Sequence, residues 1–257
     1  MTMFQYAIAS LKSMKGKSAK EKWTYFLDYF ALPTAIIVVV LVSIIGWRIS
    51  VANRKAVILE GLLVNCGFSE EMDNYTQGFY EHAGVDTDDE QAKFTTNISF
   101  TDTLPQMYSA NLQALYTKVG LGEADFITGQ AQIFPLFAYN RSHMLMDLRE
   151  VLPEDMLSKL EGRIYYIDRS VLEQEEDYSG LMEVPDSSAE QAFDYPDPSK
   201  PEEMADPIPM GIDIRDCQQF LDAYYPGSET LYLGIATNYP NPEMLMVFLQ
   251  YLLFDNG

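Results

Sequence analysis

The sequence predicts an α/β domain, with parallel-type sheets flanked by helices, carried behind a single N-terminal transmembrane helix. Three observations predict it. Residues 31–47 form an uncharged run of 17, ALPTAIIVVVLVSIIGW. A strand–helix–strand pattern occupies residues 94–128. Further short apolar strands then alternate with helical segments up to the C-terminus.

Extended back to Phe26, the apolar run reaches 22 residues and takes in only one acid, Asp28. About 20 apolar residues at 1.5 Å each cross a hydrocarbon core of roughly 30 Å, and backbone groups in lipid must pair internally, which makes such a run helical. The expected organisation is a cytoplasmic basic, aromatic leader over 1–25, a membrane helix over 26–48 and an extracytoplasmic domain over 49–257. Five lysines (12, 15, 17, 20 and 22) precede the span, against Arg48, Arg54 and Lys55 after it, which favours an inside N-terminus. Residues 1–55 carry eight basic and two acidic side chains, for +6. The remainder carries nine basic and 36 acidic, for −27, and together these give the net −21. A stem of that charge is attracted to an anionic inner leaflet and a domain of −27 is repelled from it. Trp23, Tyr25, Phe26, Tyr29 and Phe30 lead into the run and Trp47 closes it, as aromatic residues do at membrane interfaces. A cleaved signal peptide is the competing reading. The long leader and the mediocre Ile49-Ser50-Val51-Ala52 site argue against it.

So acidic a chain has no basic stripe for phosphates, so no nucleic-acid partner is expected. With only His82 and His143 and no CxxC pair, neither a structural zinc site nor any cofactor is expected. Cys66 and Cys217, 151 positions apart, read equally as a disulfide or as two small buried side chains. Asp86, Asp88 and Glu90 imitate a calcium loop, but Gln91 and Asn97 stand where glycine and the bidentate Glu belong, leaving an acidic turn.

Along the domain, residues 53–64 read as a stalk helix continuing the anchor, and 69–82 as a polar helix ending near Gly84. Phe94–Phe100 alternates as a strand. Leu104, Met107, Tyr108, Leu112, Leu115, Tyr116 and Val119 then recur at helical spacing, and 124–128 forms a second strand. This βαβ unit implies a parallel pair, with ligand residues where strands end. Residues 144–148 form an apolar ladder, Pro153 opens a helix, and 163–168 is a strand. The stretch 173–206 holds twelve acids, one lysine and four prolines, and reads as an acidic loop or insertion. Strands at 210–214 and 231–236 and a helix at 217–224 follow. Asn241-Pro242-Glu243 supplies a cap, an N1 proline and an acid to a last helix, 244–254. That helix is apolar nearly all round and must be covered, most simply by the domain's own sheet.

Three segments carry a resemblance. Gly122-Glu123-Ala124-Asp125-Phe126-Ile127-Thr128-Gly129 resembles a characteristic strand of extracytoplasmic solute-binding proteins. Met146-Asp147-Leu148 before Leu152-Pro153 is similar to a segment of the same family. So are Leu231–Ile235 and the Asn241-Pro242-Glu243 helix. The whole chain resembles Gram-positive single-span membrane proteins that carry a reduced domain of this kind. The resemblance implies a type II periplasmic-binding-protein-like fold at the bacterial cell envelope. It implies capture of a small solute or peptide for transport or sensing, or a degenerate domain serving as a scaffold or subunit of an envelope membrane complex. Ligand-binding candidates are the strand-end residues Thr101, Asp102, Thr128, Gly129, Gln130, Asp213 and Asn238, with Tyr139 and Tyr239 as stacking partners. No enzyme is expected: the chain has no GxSxG elbow, no HExxH and no phosphate-cradling or dinucleotide glycine loop.

Overall fold

The computed structural model describes residues 16, 18–29, 31–52, 55–100, 105–140, 143–174, 195–228 and 230–255. They fall into two compact units, divided between Arg54 and Lys55.

The first unit contains helices α1 (Ala19–Tyr29) and α2 (Ala31–Ala52). Ser18 caps α1 reciprocally: its Oγ accepts from the Glu21 N–H, and Glu21 Oε2 accepts from the Ser18 N–H at 2.9 Å. The 22 residues of α2 span about 33 Å at 1.5 Å per residue. Its side chains from Leu32 to Arg48 are exposed, and the helix is long and apolar enough to cross a membrane.

The second unit is a mixed six-stranded sheet between two helical layers. Its strands are β1 (Ala56–Val64), β2 (Glu90–Ile98), β3 (Phe126–Gln130), β4 (Ile164–Asp168), β5 (Pro207–Asp213) and β6 (Leu231–Ile235), in the order β2-β1-β3-β6-β5-β4. β1 pairs in parallel with β2 and with β3; the β3–β6, β5–β6 and β4–β5 pairs are antiparallel. The expected parallel-type sheet is therefore confined to one half. The predicted βαβ unit forms through α4 (Pro105–Gly120), but its two strands flank β1 instead of each other.

The stalk helix expected over residues 53–64 is overturned: Ala56–Val64 is strand β1. Leu59, Leu62, Leu63 and Val64 are fully buried, and a strand covered on both faces reads as a continuous apolar run, without the alternation that separates strand from helix. Gly61 is required there, because a Cβ would lie 2.3 Å from Cζ of Phe126.

One face of the sheet packs under α3 (Met72–Ala83), α9 (Gln218–Tyr224) and α10 (Pro242–Gln250). Phe126 stacks on Phe248 there, with centroids 4.8 Å apart. Leu245, Phe248 and Leu249 of α10 are fully buried, so the apolar C-terminal helix is covered by its own domain. It ends at Gln250, and Tyr251–Asp255 widens into a π turn. The other face carries α4, the short α5 (Pro135–Ala138) and the segment through Leu145. The predicted ladder at 144–148 reduces to one bridge, Leu145 to Ala236, before α6 (Leu148–Val151) and α7 (Glu154–Lys159). After β4, α8 (Arg169–Gln174) leads into the acidic stretch, of which 175–194 lies outside the described residues. Its return is pinned: Asp168 accepts from the N–H groups of Ala205 at 2.8 Å and Asp206 at 3.1 Å. Burial raises the Asp168 pKa, but these bonds and those from Ser170 outweigh it and hold the carboxyl below its ordinary range. Cys66 and Cys217 are free thiols.

Two buried carboxylates stitch the sheet. Asp125, fully buried, accepts from the Glu60 N–H at 2.7 Å, the Asn241 N–H at 2.8 Å and Asn241 Nδ2 at 3.1 Å. Asn241 thus directs its amide to Asp125 and makes no side-chain cap on α10, contrary to the cap expected. This contact joins the 122–129 segment to the start of α10. Glu60 accepts from Lys93 at 2.9 Å and Lys118 at 2.7 Å. Burial pushes its pKa up, but the two ammonium groups outweigh that and leave it lowered.

Candidate functional site

Because β1, β2 and β3 run in parallel, their carboxyl ends gather at one edge of the sheet, where α/β proteins bind ligands. The antiparallel strands bring further residues to it: Leu231 lies opposite Gln130, and Asp213 opposite Tyr232. Thr128, Gly129, Gln130 and Asp213 therefore share this carboxyl edge. Thr101 and Asp102 lie outside the described residues. Asn238 and Tyr239 follow β6, and Ala236 N–H donates to Asp125 O just before β3 begins, so they belong to the opposite edge. Tyr139 also lies away from the carboxyl edge. Its hydroxyl accepts from the N–H of Asp168 at 3.3 Å, and its ring stacks on Tyr195 at 3.9 Å and 8°.

Among the described residues, the candidate polar groups at the carboxyl edge are committed within the chain. Thr128 is fully buried, and its hydroxyl is 2.7 Å from Tyr225 Oη. Tyr225 donates in turn to the Val64 carbonyl at 3.0 Å, so Thr128 is the donor in the first bond. Burial pushes the Tyr225 hydroxyl far above its ordinary pKa and keeps it neutral. This side chain fills the crevice between the ends of β1 and β3. Gly129 is a packing glycine: a Cβ would stand 2.9 Å from Phe137 and 3.0 Å from Ile133. Gln130 Nε2 donates to Ser228 Oγ at 2.9 Å. Asp213 is paired with Arg215, whose Nε donates to Oδ2 at 2.6 Å, and its other oxygen accepts from the Arg215 N–H.

Asn65 ends β1 in the left-handed region, at φ +55°, a conformation asparagine tolerates better than most residues. Its Oδ1 accepts from the Phe100 N–H at 2.6 Å, and Cys66 Sγ sits 3.4 Å from the Thr96 carbonyl. The loop then presents Phe68 at 89 % exposure. Asn65, Tyr225 and Ser228 were not anticipated from the sequence. The signal available was the Asn65-Cys66-Gly67 turn after an apolar run, and the Pro226-Gly227 turn following a double tyrosine.

A concavity does exist at the other edge. A cleft of about 540 Å³ is walled by Leu145, Met146, Ile208 and Met210, with Glu150 and Arg169 at its mouth. Asp147 beside it is clamped by Arg149 at 2.6 Å. Among the described residues, no group of three His, Cys, Asp or Glu side chains is placed to hold a metal ion. No protein-family model matches the chain, and no curated protein or solved structure matches it.

Proposed function

We propose that this is a membrane-anchored extracytoplasmic protein with a reduced, solute-binding-protein-like domain that serves as a subunit or scaffold of an envelope membrane complex. The observation that carries the reading is the filled carboxyl edge. Thr128, Gln130 and Asp213, the groups a solute would need, are paired with Tyr225, Ser228 and Arg215. A solute entering there would have to displace these bonds, and breaking the buried Thr128–Tyr225 pair would cost about 1–3 kcal/mol for each group left unsatisfied. The described residues also form one sheet, whereas capture between lobes needs a second. The anchor is the apolar helix α2, and the lysine-rich stem before it supports an inside N-terminus. Phe68, exposed on the loop after β1, is the contact expected to face a partner.

A photo-crosslinking residue at position 68 of the full chain, in cell membranes, tests this. The expected product is a discrete adduct with one membrane protein, absent when the probe stands at Phe254. Solute capture is the second reading, favoured by the 540 Å³ cleft. The absence of any adduct, together with a saturable thermal shift with an amino acid, peptide or sugar, would replace the first reading with the second.

A further inference from the structure

A second concavity, unrelated to the sheet edge, lies between α3, α9 and the π turn. Its volume is about 570 Å³, and it is lined by Glu71, Asn74, Tyr75, Gln219, Asp222 and Tyr251, within the range of small-ligand sites. Tyr75 is 5 % exposed. Among the described residues, its hydroxyl is the buried side-chain polar atom with no hydrogen-bond partner. Its ring is boxed edge-on by Phe220 at 5.4 Å, Tyr251 at 5.5 Å and Tyr224 at 5.8 Å. A phenylalanine would make the same ring contacts without burying an unpaired hydroxyl, so the oxygen is the feature that fold stability does not explain.

The rim supplies charge. Glu71 Oε2 accepts from Asn74 Nδ2 at 2.9 Å, and Asp222 Oδ1 accepts from Gln218 Nε2 at 2.6 Å. Neither carboxylate enters an ion pair among the described residues, unlike Glu60, Asp147 or Asp213. Glu71 and Asp222, both exposed, thus share the lining of this groove with Tyr75 and Tyr251, and the buried Tyr75 hydroxyl is an acceptor left without a donor. An ammonium ion answers all three features: its N–H groups donate to a phenol oxygen and to carboxylates, and its charge is attracted to aromatic faces. The −27 charge of the domain, counted from residue 56, raises the local concentration of any cation.

We propose that this groove binds a primary alkylammonium group, with Tyr75 Oη accepting one N–H and Glu71 and Asp222 balancing the charge. The group could reach it on a free di- or polyamine or on the lysine of a peptide; the chemistry recognised is the same. The site does not depend on whether the carboxyl edge is filled.

Isothermal titration of the full chain in phosphatidylcholine nanodiscs tests the proposal, at about 150 mM salt to screen diffuse attraction. The probes are putrescine and acetyl-Gly-Lys-Gly-amide, with choline and Mg²⁺ as controls. The expected result is saturable binding of at least one primary ammonium probe, about tenfold or more weaker in Tyr75→Phe and in Asp222→Asn. Glu202→Gln, an exposed acid elsewhere, should leave it unchanged. The tighter of the two probes identifies the source. Saturable binding of neither probe overturns the site. So does equal binding of choline, which has no N–H to give, or binding that survives Tyr75→Phe and so reduces to surface charge.

Discussion

The carboxyl edge of the sheet and the groove between α3 and α9 are opposites in hydrogen bonding. At the edge, where topology directs a ligand, Thr128, Tyr225, Gln130 and Asp213 are all satisfied internally. In the groove, where topology directs nothing, a buried hydroxyl has no partner and two carboxylates lack a counter-charge. Strand-end position alone therefore does not locate a site. What separates the two regions is which polar groups the chain leaves without an internal partner.

The largest effect that can break this contrast is Tyr225→Phe. It strips the partner from Thr128 and the donor from the Val64 carbonyl, both in a dry interior. The expected loss is about 1–3 kcal/mol in denaturant unfolding; an unchanged midpoint would mean that the edge is open to water. Gly129→Ala should cost a similar or smaller amount, about 1–2 kcal/mol, since its methyl meets Phe137 and Ile133. Tyr75→Phe should change the sign. Removing an unsatisfied hydroxyl with the ring contacts intact should raise stability by about 1 kcal/mol, read as a higher Tm without ligand. A lower Tm would reveal a partner for that oxygen and erase the contrast.

Much of the framework was legible. Helix α4 and β3 announced themselves through period and turn residues, α10 through its proline and apolar surface, and β2 in part: a strand was expected over 94–100 and lies at 90–98. β1 was not legible: Ala56-Val57-Ile58-Leu59-Glu60-Gly61-Leu62-Leu63-Val64 follows an apolar helix directly, and its lack of alternation reflects burial on both faces, which only the neighbours β2 and β3 impose. Thr128, Gly129 and Gln130 stand at the carboxyl end of β3, as their position after an apolar run implied. Asn238 and Tyr239 separated from them because β6 is antiparallel, and strand direction leaves no mark on a five-residue apolar run. Tyr75 was invisible for another reason: nothing in a sequence distinguishes a tyrosine with a bonded hydroxyl from one without.

The smallest expected effect concerns pH. Glu60 is held below its ordinary pKa by Lys118 and Lys93 despite burial. Its contribution to stability is therefore fully present above the unfolded carboxyl value of about 4.3 and is lost as pH falls through the lower folded value. Glu60→Gln should flatten the acid limb of the stability profile; an unchanged limb would place the acid sensitivity elsewhere, at Asp168 first.

The most direct measurement is hydrogen–deuterium exchange of the full chain in nanodiscs, with and without putrescine. Residues committed at the edge have nothing to offer a ligand, so exchange over 126–130 and 224–228 should not change, while 71–78 and 219–222 slow. Slowing at 126–130, with none at 71–78, would put the ligand at the sheet edge and contradict the reading of both regions.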